Sequence, residues 1–313
     1  MDTRDVRWFH RRGEIARDGW ESVVDATSPS WEHTSVRVGV LSEDTGELAL
    51  TATDVERIVV PLSGSFLVSH HNYPEEHETR LSGRPSVFSG PTDVLYLPTG
   101  TTAEIRGSGR VAVAEAPTME RRAWQYIPVS DIPVELRGKG ASSRQVHNFG
   151  TPQTLDAARL IVCEVITPAA NWSSYPPHKH DEHVTARESH LEEIYYFEAA
   201  PTAGSRAASG PAFGLFSAYS SPAGEIDINA RVRTGDIALV PYGYHGPAAA
   251  APGYDLYYLN IMAGPDPDRV WLISDDPAHV WVRETWDEQE IDPRLPFTRE
   301  NQKDRPLWPT PNE

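Results

Sequence analysis

A single cysteine, Cys163, in a chain of 313 residues excludes any intrachain disulfide. Basic charge is also scarce. Lys and Arg total 28 against 45 Asp and Glu, a formal net charge of -17. Such a chain repels polyanions, so nucleic acid and anionic membrane surfaces are excluded as main partners. An anionic substrate would be repelled at long range too, so any anion site has to be a local basic pocket. No segment approaches the roughly eighteen apolar residues of a membrane span. The N-terminal stretch "MDTRDVRWFHRRGE" has no apolar signal-peptide core. Cys163 lies inside the apolar run "LIVCEVI", and one thiol of buried type fits a reducing compartment. The expectation is a cytoplasmic protein.

What the chain has in quantity is punctuation. Its 27 prolines and 22 glycines are spread along the whole length rather than gathered into one tract. Between them lie short apolar stretches: "SVRVGVL", "RIVVPL", "SFLVSHH", "DVLYLP" and "RVAVAEA" before residue 116. From about residue 144 follow "RQVHNF", "RLIVCEVI", "EEIYYFE", "FGLFSAYS", "EIDINARV", "DIALVP" and "YDLYYLNIM". Strands at roughly ten-residue spacing predict an all-β sandwich or barrel. The intervening "IPVSDIPVELRGKGASS" reads as a linker or crossover. Residues 265 onward, with "RVWLISDDPAHVWVRETW", are expected to wrap back over a barrel. The last dozen residues, rich in proline and charge, are expected to be poorly ordered.

The two halves echo each other. "SGPTDVLYLPTGTTAEI" and "VRTGDIALVPYGYHGPA" both run glycine, spacer, aspartate, apolar strand, proline, one residue, glycine. That is a repeat at domain scale, with units expected at 1–140 and 141–313. The second copy carries His245 where the first has Thr102, so the chemistry is expected in the second unit alone.

The chemistry-bearing residues cluster there. In "NWSSYPPHKHD", His178 and His180 are two apart and share one face of an extended strand, while Lys179 points the other way. Glu192 and Glu193 open the next apolar strand, with Glu193, Tyr195 and Phe197 on one face. His245 follows a turn in "GDIALVPYGYH". Three imidazoles and one of the two carboxylates suit Zn²⁺, Mn²⁺, Fe²⁺, Ni²⁺ or Co²⁺, with open positions for substrate oxygens. His70 and His71 are adjacent, face opposite ways, and cannot reproduce this geometry. His183 and His190 read as solvated loop histidines. Tyr258, Asn260 and Met262 share a face that is a candidate cavity wall. Arg144 and Arg231 are candidates to grip a carboxylate with a bidentate fork.

"HKH", the glutamate pair at a strand start and "GDxxxxPxGxxH" resemble the two motifs of the cupin superfamily. The resemblance implies small jelly-roll β-barrels, here two in tandem. It implies the ligands His178, His180, Glu193 and His245, with Glu193 preferred over Glu192 because "EIYYF" fits the family's glutamate-led strand. The gap of twelve residues between His180 and Glu193 is longer than the usual cupin spacing, so "DEHVTARES" reads as an inserted loop near the site. "NWSSYPPHKHD", "LEEIYYF", "VPYGYH", "APGYDLYYLNIMAG" and "DDPAHVWV" together resemble the 5-deoxy-glucuronate isomerase family, bicupins of bacterial inositol breakdown.

That resemblance implies conversion of 5-deoxy-D-glucuronate to 2-deoxy-5-keto-D-gluconate at a divalent metal. The catalytic proton shuttle would be Tyr195, Tyr258 or a metal-bound hydroxide, and a hydride shift would need none of them. The same ligand set also serves iron-dependent cupin dioxygenases, and a sugar-acid-binding bicupin without activity is a third reading. Oxygen uptake marks the second, and absence of turnover the third. A homo-oligomer is expected, because bicupins bury sheet edges against one another.

Overall fold

The computed structural model describes residues 3–4, 7–42, 46–203 and 211–300. The expectation of poor order in the last dozen residues concerns positions outside these. Every strand ladder between named strands is antiparallel, and the helical segments among the described residues are all 3₁₀, the longest being Val280–Glu288. This is the all-β architecture expected from the spacing of apolar stretches and turns.

The first half builds one eight-stranded sheet around two long strands, Val55–Asn72 and Thr102–Pro117. The second half builds two seven-stranded sheets. The first is centred on Ile161–Thr167, Tyr254–Ala263 and Glu192–Pro201. The other is centred on Gly214–Ser221 and Tyr244–Ala250, and also holds His178–Lys179. The N-terminal residues Thr3–Arg4 and Phe9–His10 cross over and pair with strands of the second half. The stretch 127–143, read from sequence as a linker, contains the edge strand Val134–Arg137 paired to Arg144–Gly150. Its four residues are too few and too charged to show an alternation.

The central sheet of the second half is buried on both faces, which explains its unbroken apolar runs. In Glu192–Pro201, Glu193 pairs with Met262, Tyr195 with Asn260 and Phe197 with Tyr258. These side chains turn toward the inside of the second barrel. Tyr196, Glu164 and Tyr257 lie on the opposite face and meet the first half. There Arg110 donates to the Tyr196 hydroxyl at 2.8 Å. Arg84 makes a two-pronged ion pair with Glu164 at 2.7 and 2.6 Å.

The halves also exchange equivalent carboxylates. Glu56, at the start of Val55–Asn72, accepts the backbone N–H groups of Ala158, Arg159 and Leu160 at 2.6–2.7 Å. Glu192, at the start of Glu192–Pro201, accepts those of Glu32, His33 and Thr34 at 2.5–3.3 Å. The repeat therefore extends to "VERI" against "LEEI".

Register shows what the two copies do with the next position. Arg57 pairs with Leu97, the residue before Pro98, and Glu193 pairs with Val240, the residue before Pro241. Where the second half presents a carboxylate, the first presents a guanidinium. Arg57 is held by Glu115 at 2.7 Å, by the Thr51 and Thr101 carbonyls, and by the Thr53 hydroxyl. A fixed cation at that point opposes a metal ion by charge alone.

Candidate metal and substrate site

His178 and His245 are register partners on neighbouring strands, so their side chains rise from the same patch of sheet. His180 lies just past the end of its strand. The residues between His180 and Glu193 do not separate them, because Asp181–Val184 and Glu188–His190 fold back on each other as a hairpin. Leu191 N–H donates to the His180 carbonyl at 2.9 Å and closes the excursion. Lys179, pointing away from its neighbours as its position predicts, ties the hairpin base to Asp181 and Glu188 at 2.7 Å each. The inserted segment is thus an ordered hairpin rather than a loop. His183 sits on it, half exposed and facing Asp266, outside the cluster.

The three imidazoles lie within 4.8 Å of one another by their ligating atoms, and all are buried. Each turns its Nδ1 toward a backbone carbonyl: Pro176 at 3.4 Å, Leu191 at 3.0 Å and Gly243 at 3.2 Å. That places the proton on Nδ1 and directs the Nε2 lone pair inward. Glu193 Oε2 stands 3.1 Å from His180 Nε2 and 3.0 Å from His245 Nε2. His245 Nε2 nevertheless has no hydrogen bond of acceptable geometry. Lone pairs converging at this distance in a buried place repel unless a cation stands among them. The donor set therefore fits a divalent ion.

The electrostatics agree. Burial works against the Glu193 carboxylate, yet His180 and His245 hold its pKa down at about 2. Burial, together with His245 and His180, pushes His178 well below the ordinary histidine value. Burial opposes the charged form of His180 as well, but the Glu193 bond and charge raise it overall.

Glu192 points to the other face, as alternation requires. It is buried there, where its carboxylate accepts three backbone amides. Burial lifts its pKa to about 6 despite those amides. Glu192→Gln is expected to lower stability by about 1–3 kcal/mol, the penalty for disturbing buried donors, while bound metal per chain stays unchanged. Thermal melting and elemental analysis test this, and loss of metal would transfer the ligand role to Glu192.

A cavity of about 250 Å³ opens beside the cluster, lined by His178 and Glu193. Its size is below the usual range for drug-sized ligands and suits one small sugar. Tyr195 and Tyr258 line it, both more than nine-tenths buried. Their hydroxyls share Ser174 Oγ at 3.2 and 3.3 Å. Burial raises both phenols above their ordinary pKa. Asn260 joins them from the face that holds Tyr258. The C-terminal tail supplies Trp271, Ile273 and Arg283, and its strand Ser274–Asp275 pairs with His178–Lys179. The tail does wrap back over the second barrel. Ser174, Arg137, Trp271 and Arg283 are lining residues that sequence reasoning missed. Ser174 sat inside the proline-histidine stretch, and Trp271 and Arg283 inside the tail expected to wrap back, whereas Arg137 lay in the stretch read as a linker. Arg144 lines the cavity, whereas Arg231 lies exposed over Phe213 on another surface. His70 packs with His77 and Trp124 in the first half, away from the cluster.

Comparison with known proteins extends these findings. The KduI/IolB family model matches residues 8–282. The chain is 38% identical to a 5-deoxy-glucuronate isomerase of Geobacillus thermodenitrificans over 265 residues, covering 84% of this chain and 90% of that one. It is 34% identical to the Bacillus subtilis protein of the same name over 271 residues, covering 85% and 94%. Among solved structures, an IolB-like protein of Salmonella typhimurium superposes with a TM-score of 0.77 at 31% identity, covering 88% of this chain and 98% of that one. Oxalate decarboxylase of Lactobacillus farciminis superposes with a TM-score of 0.58 at 8% identity, covering 86% and 88%. At that identity the likeness speaks for a shared two-barrel cupin fold alone.

Proposed function

The chain belongs to the KduI/IolB family, and from that membership we propose that it is an aldose–ketose isomerase converting 5-deoxy-D-glucuronate to 2-deoxy-5-keto-D-gluconate in inositol breakdown. We assign His178, His180, Glu193 and His245 as holders of a divalent metal ion. The observation that carries the assignment is the convergence of four buried acceptors, His245 Nε2 without a hydrogen bond among them, two of which, His178 and Glu193, line one small cavity.

The reaction moves one hydrogen between adjacent carbons. The carbon bearing the hydroxyl beside the aldehyde loses it, and the former carbonyl carbon gains it, with no net change in composition. A divalent ion in this site supplies Lewis-acid polarisation of neighbouring carbonyl and hydroxyl oxygens. The chain's own groups supply the rest. The raised phenols of Tyr195 and Tyr258 are protonated at neutral pH and donate hydrogen bonds to oxygens that gain negative charge. Ser174 bridges them, so a proton given up at one hydroxyl is replaced from the other. The tail residues Trp271 and Ile273 add apolar wall to the cavity.

This reading takes the chain as two tandem barrels, 1–140 and 141–313, the first lending its N-terminal strands to the second. A cytoplasmic setting is supported by the lone buried thiol of Cys163. Among the described residues no helix is long and apolar enough to cross a membrane.

Anaerobic NMR of 5-deoxy-D-glucuronate with the purified protein tests the reading. A new ketone carbon signal should appear and be abolished by chelator. In D₂O, deuterium on the former carbonyl carbon would support proton transfer through the hydroxyls, and its absence would support a hydride shift. An unchanged spectrum with metal bound would sink the isomerase reading.

A further inference from the structure

Three arginines line the cavity beside the metal cluster: Arg137, Arg144 and Arg283. Two are neutralised within the protein. Arg137 is gripped by Glu135 at 2.9 and 2.7 Å. Arg283 is paired with both oxygens of Asp275. Arg144 differs from both. Its hydrogen bond goes to a neutral carbonyl, that of Ser142, at 3.0 Å, and its guanidinium lies 5.7 Å from the Trp286 ring. It forms no ion pair with a carboxylate of the described residues. It is only 6% exposed.

A buried guanidinium with no counter-charge is costly, because water has been removed and nothing ionic has replaced it. Burial, with the charges of Arg137 and Arg283 beside it, lowers its pKa to about 10, which still leaves it charged at neutral pH. A second buried donor looks into the same cavity unsatisfied. Asn260 is 4% exposed, and its Nδ2 has no acceptor among the described residues. Two unanswered donors, one of them a planar fork, in one cavity describe the outline of an absent carboxylate or polyol oxygen. The chain's charge of -17 makes a local cation necessary for any anionic ligand.

We propose that Arg144 is the carboxylate anchor of the substrate site. It receives the carboxylate end of a short sugar acid whose carbonyl end faces His178 and Glu193, and Asn260 donates to an oxygen along the chain. The metal cluster alone treats every aldose alike, so this residue selects sugar acids over neutral sugars. The inference rests on the isomerase reading for the identity of the carbonyl end, but the anion site itself does not.

The test compares 5-deoxy-D-glucuronate with its uncharged counterpart 5-deoxy-D-glucose, by calorimetric binding and by turnover, in the metal-loaded full chain. The wild type should bind the acid more tightly. Arg144→Gln should weaken acid binding and raise its KM by about 10- to 100-fold, the range for a lost charge-assisted contact. Binding of the neutral sugar and metal content should be unchanged. Arg144→Lys, which keeps the charge without the fork, should fall between them. It also serves if the glutamine variant folds poorly. Arg231→Gln is the surface control and should match wild type. If both Arg144 variants keep the wild-type preference for the acid, or if wild type shows none, the anchor is wrong. If wild type binds the acid through Arg144 yet never isomerises it, the anchor stands and the isomerase reading falls.

Discussion

Glu193→Gln, His178→Ala and His245→Ala are each expected to lose bound metal and turnover together while the barrels stay folded. The loss should exceed the roughly 100-fold that marks removal of an outer-shell partner, since these residues are the ones proposed to hold the ion directly. The fold should survive because no long-range tether between the halves passes through them. Their Nδ1 partners are carbonyls within two residues for His178 and His245. Elemental analysis after dialysis, circular dichroism and the NMR assay read the three quantities separately. A variant that keeps full turnover after chelator treatment would remove its residue from the metal site.

Arg84→Met should produce the largest loss of stability. Arg84 and Glu164 are both fully buried, and Glu164 also accepts from Tyr257 at 2.7 Å and from His147 at 2.5 Å. Removing Arg84 leaves the buried Glu164 charge without its guanidinium and held only by Tyr257 and His147, at about 3–5 kcal/mol. For a chain of this size that corresponds to roughly 10 °C in melting temperature. The pair joins the two halves, so the same change should loosen their association.

The pH dependence follows from Glu164. Burial opposes its charged form, but Arg84 and His147 depress its pKa from 4.5 to about 2. A carboxyl depressed on folding contributes stability that is complete above pH 4.5 and is lost as pH falls toward 2. The wild-type advantage over Arg84→Met should therefore be widest near neutrality and narrow below pH 4.5. Calorimetric melting across that range tests both statements. A difference under about 1 kcal/mol at pH 7 would mean that the pair is not the tether described here.

Much of the site was legible because strand geometry is local. A period of two places His178 with His180, and Glu193 with Tyr195, whatever the rest of the chain does. The face of Tyr258 and Asn260 follows by the same rule, and the register against Glu192–Pro201 brings it to the cavity. The glycine, proline and histidine echo was legible because turns demand particular residues. The first copy's Thr102 already indicated that it lacks the third imidazole.

The alternation also separated Glu192 from Glu193, but it could not say what each would meet. A period of two specifies a face, and the partner on that face arrives from elsewhere in the chain. Glu192 meets amides about 160 positions earlier, and Arg84 meets Glu164 across 80. Neither pairing leaves a local signal, because a lone charged residue reads as solvated surface. The hairpin that closes the gap from His180 to Glu193 was hidden for the same reason, as a polar stretch of unknown shape. The sequence by itself determined the all-β class, the repeat and the faces of the chemistry-bearing strands, since these depend on neighbours in the chain. Only the tertiary structure decided which charges are buried and answered, and that Arg144 is buried and answered by no carboxylate among the described residues, since burial and pairing depend on neighbours in space.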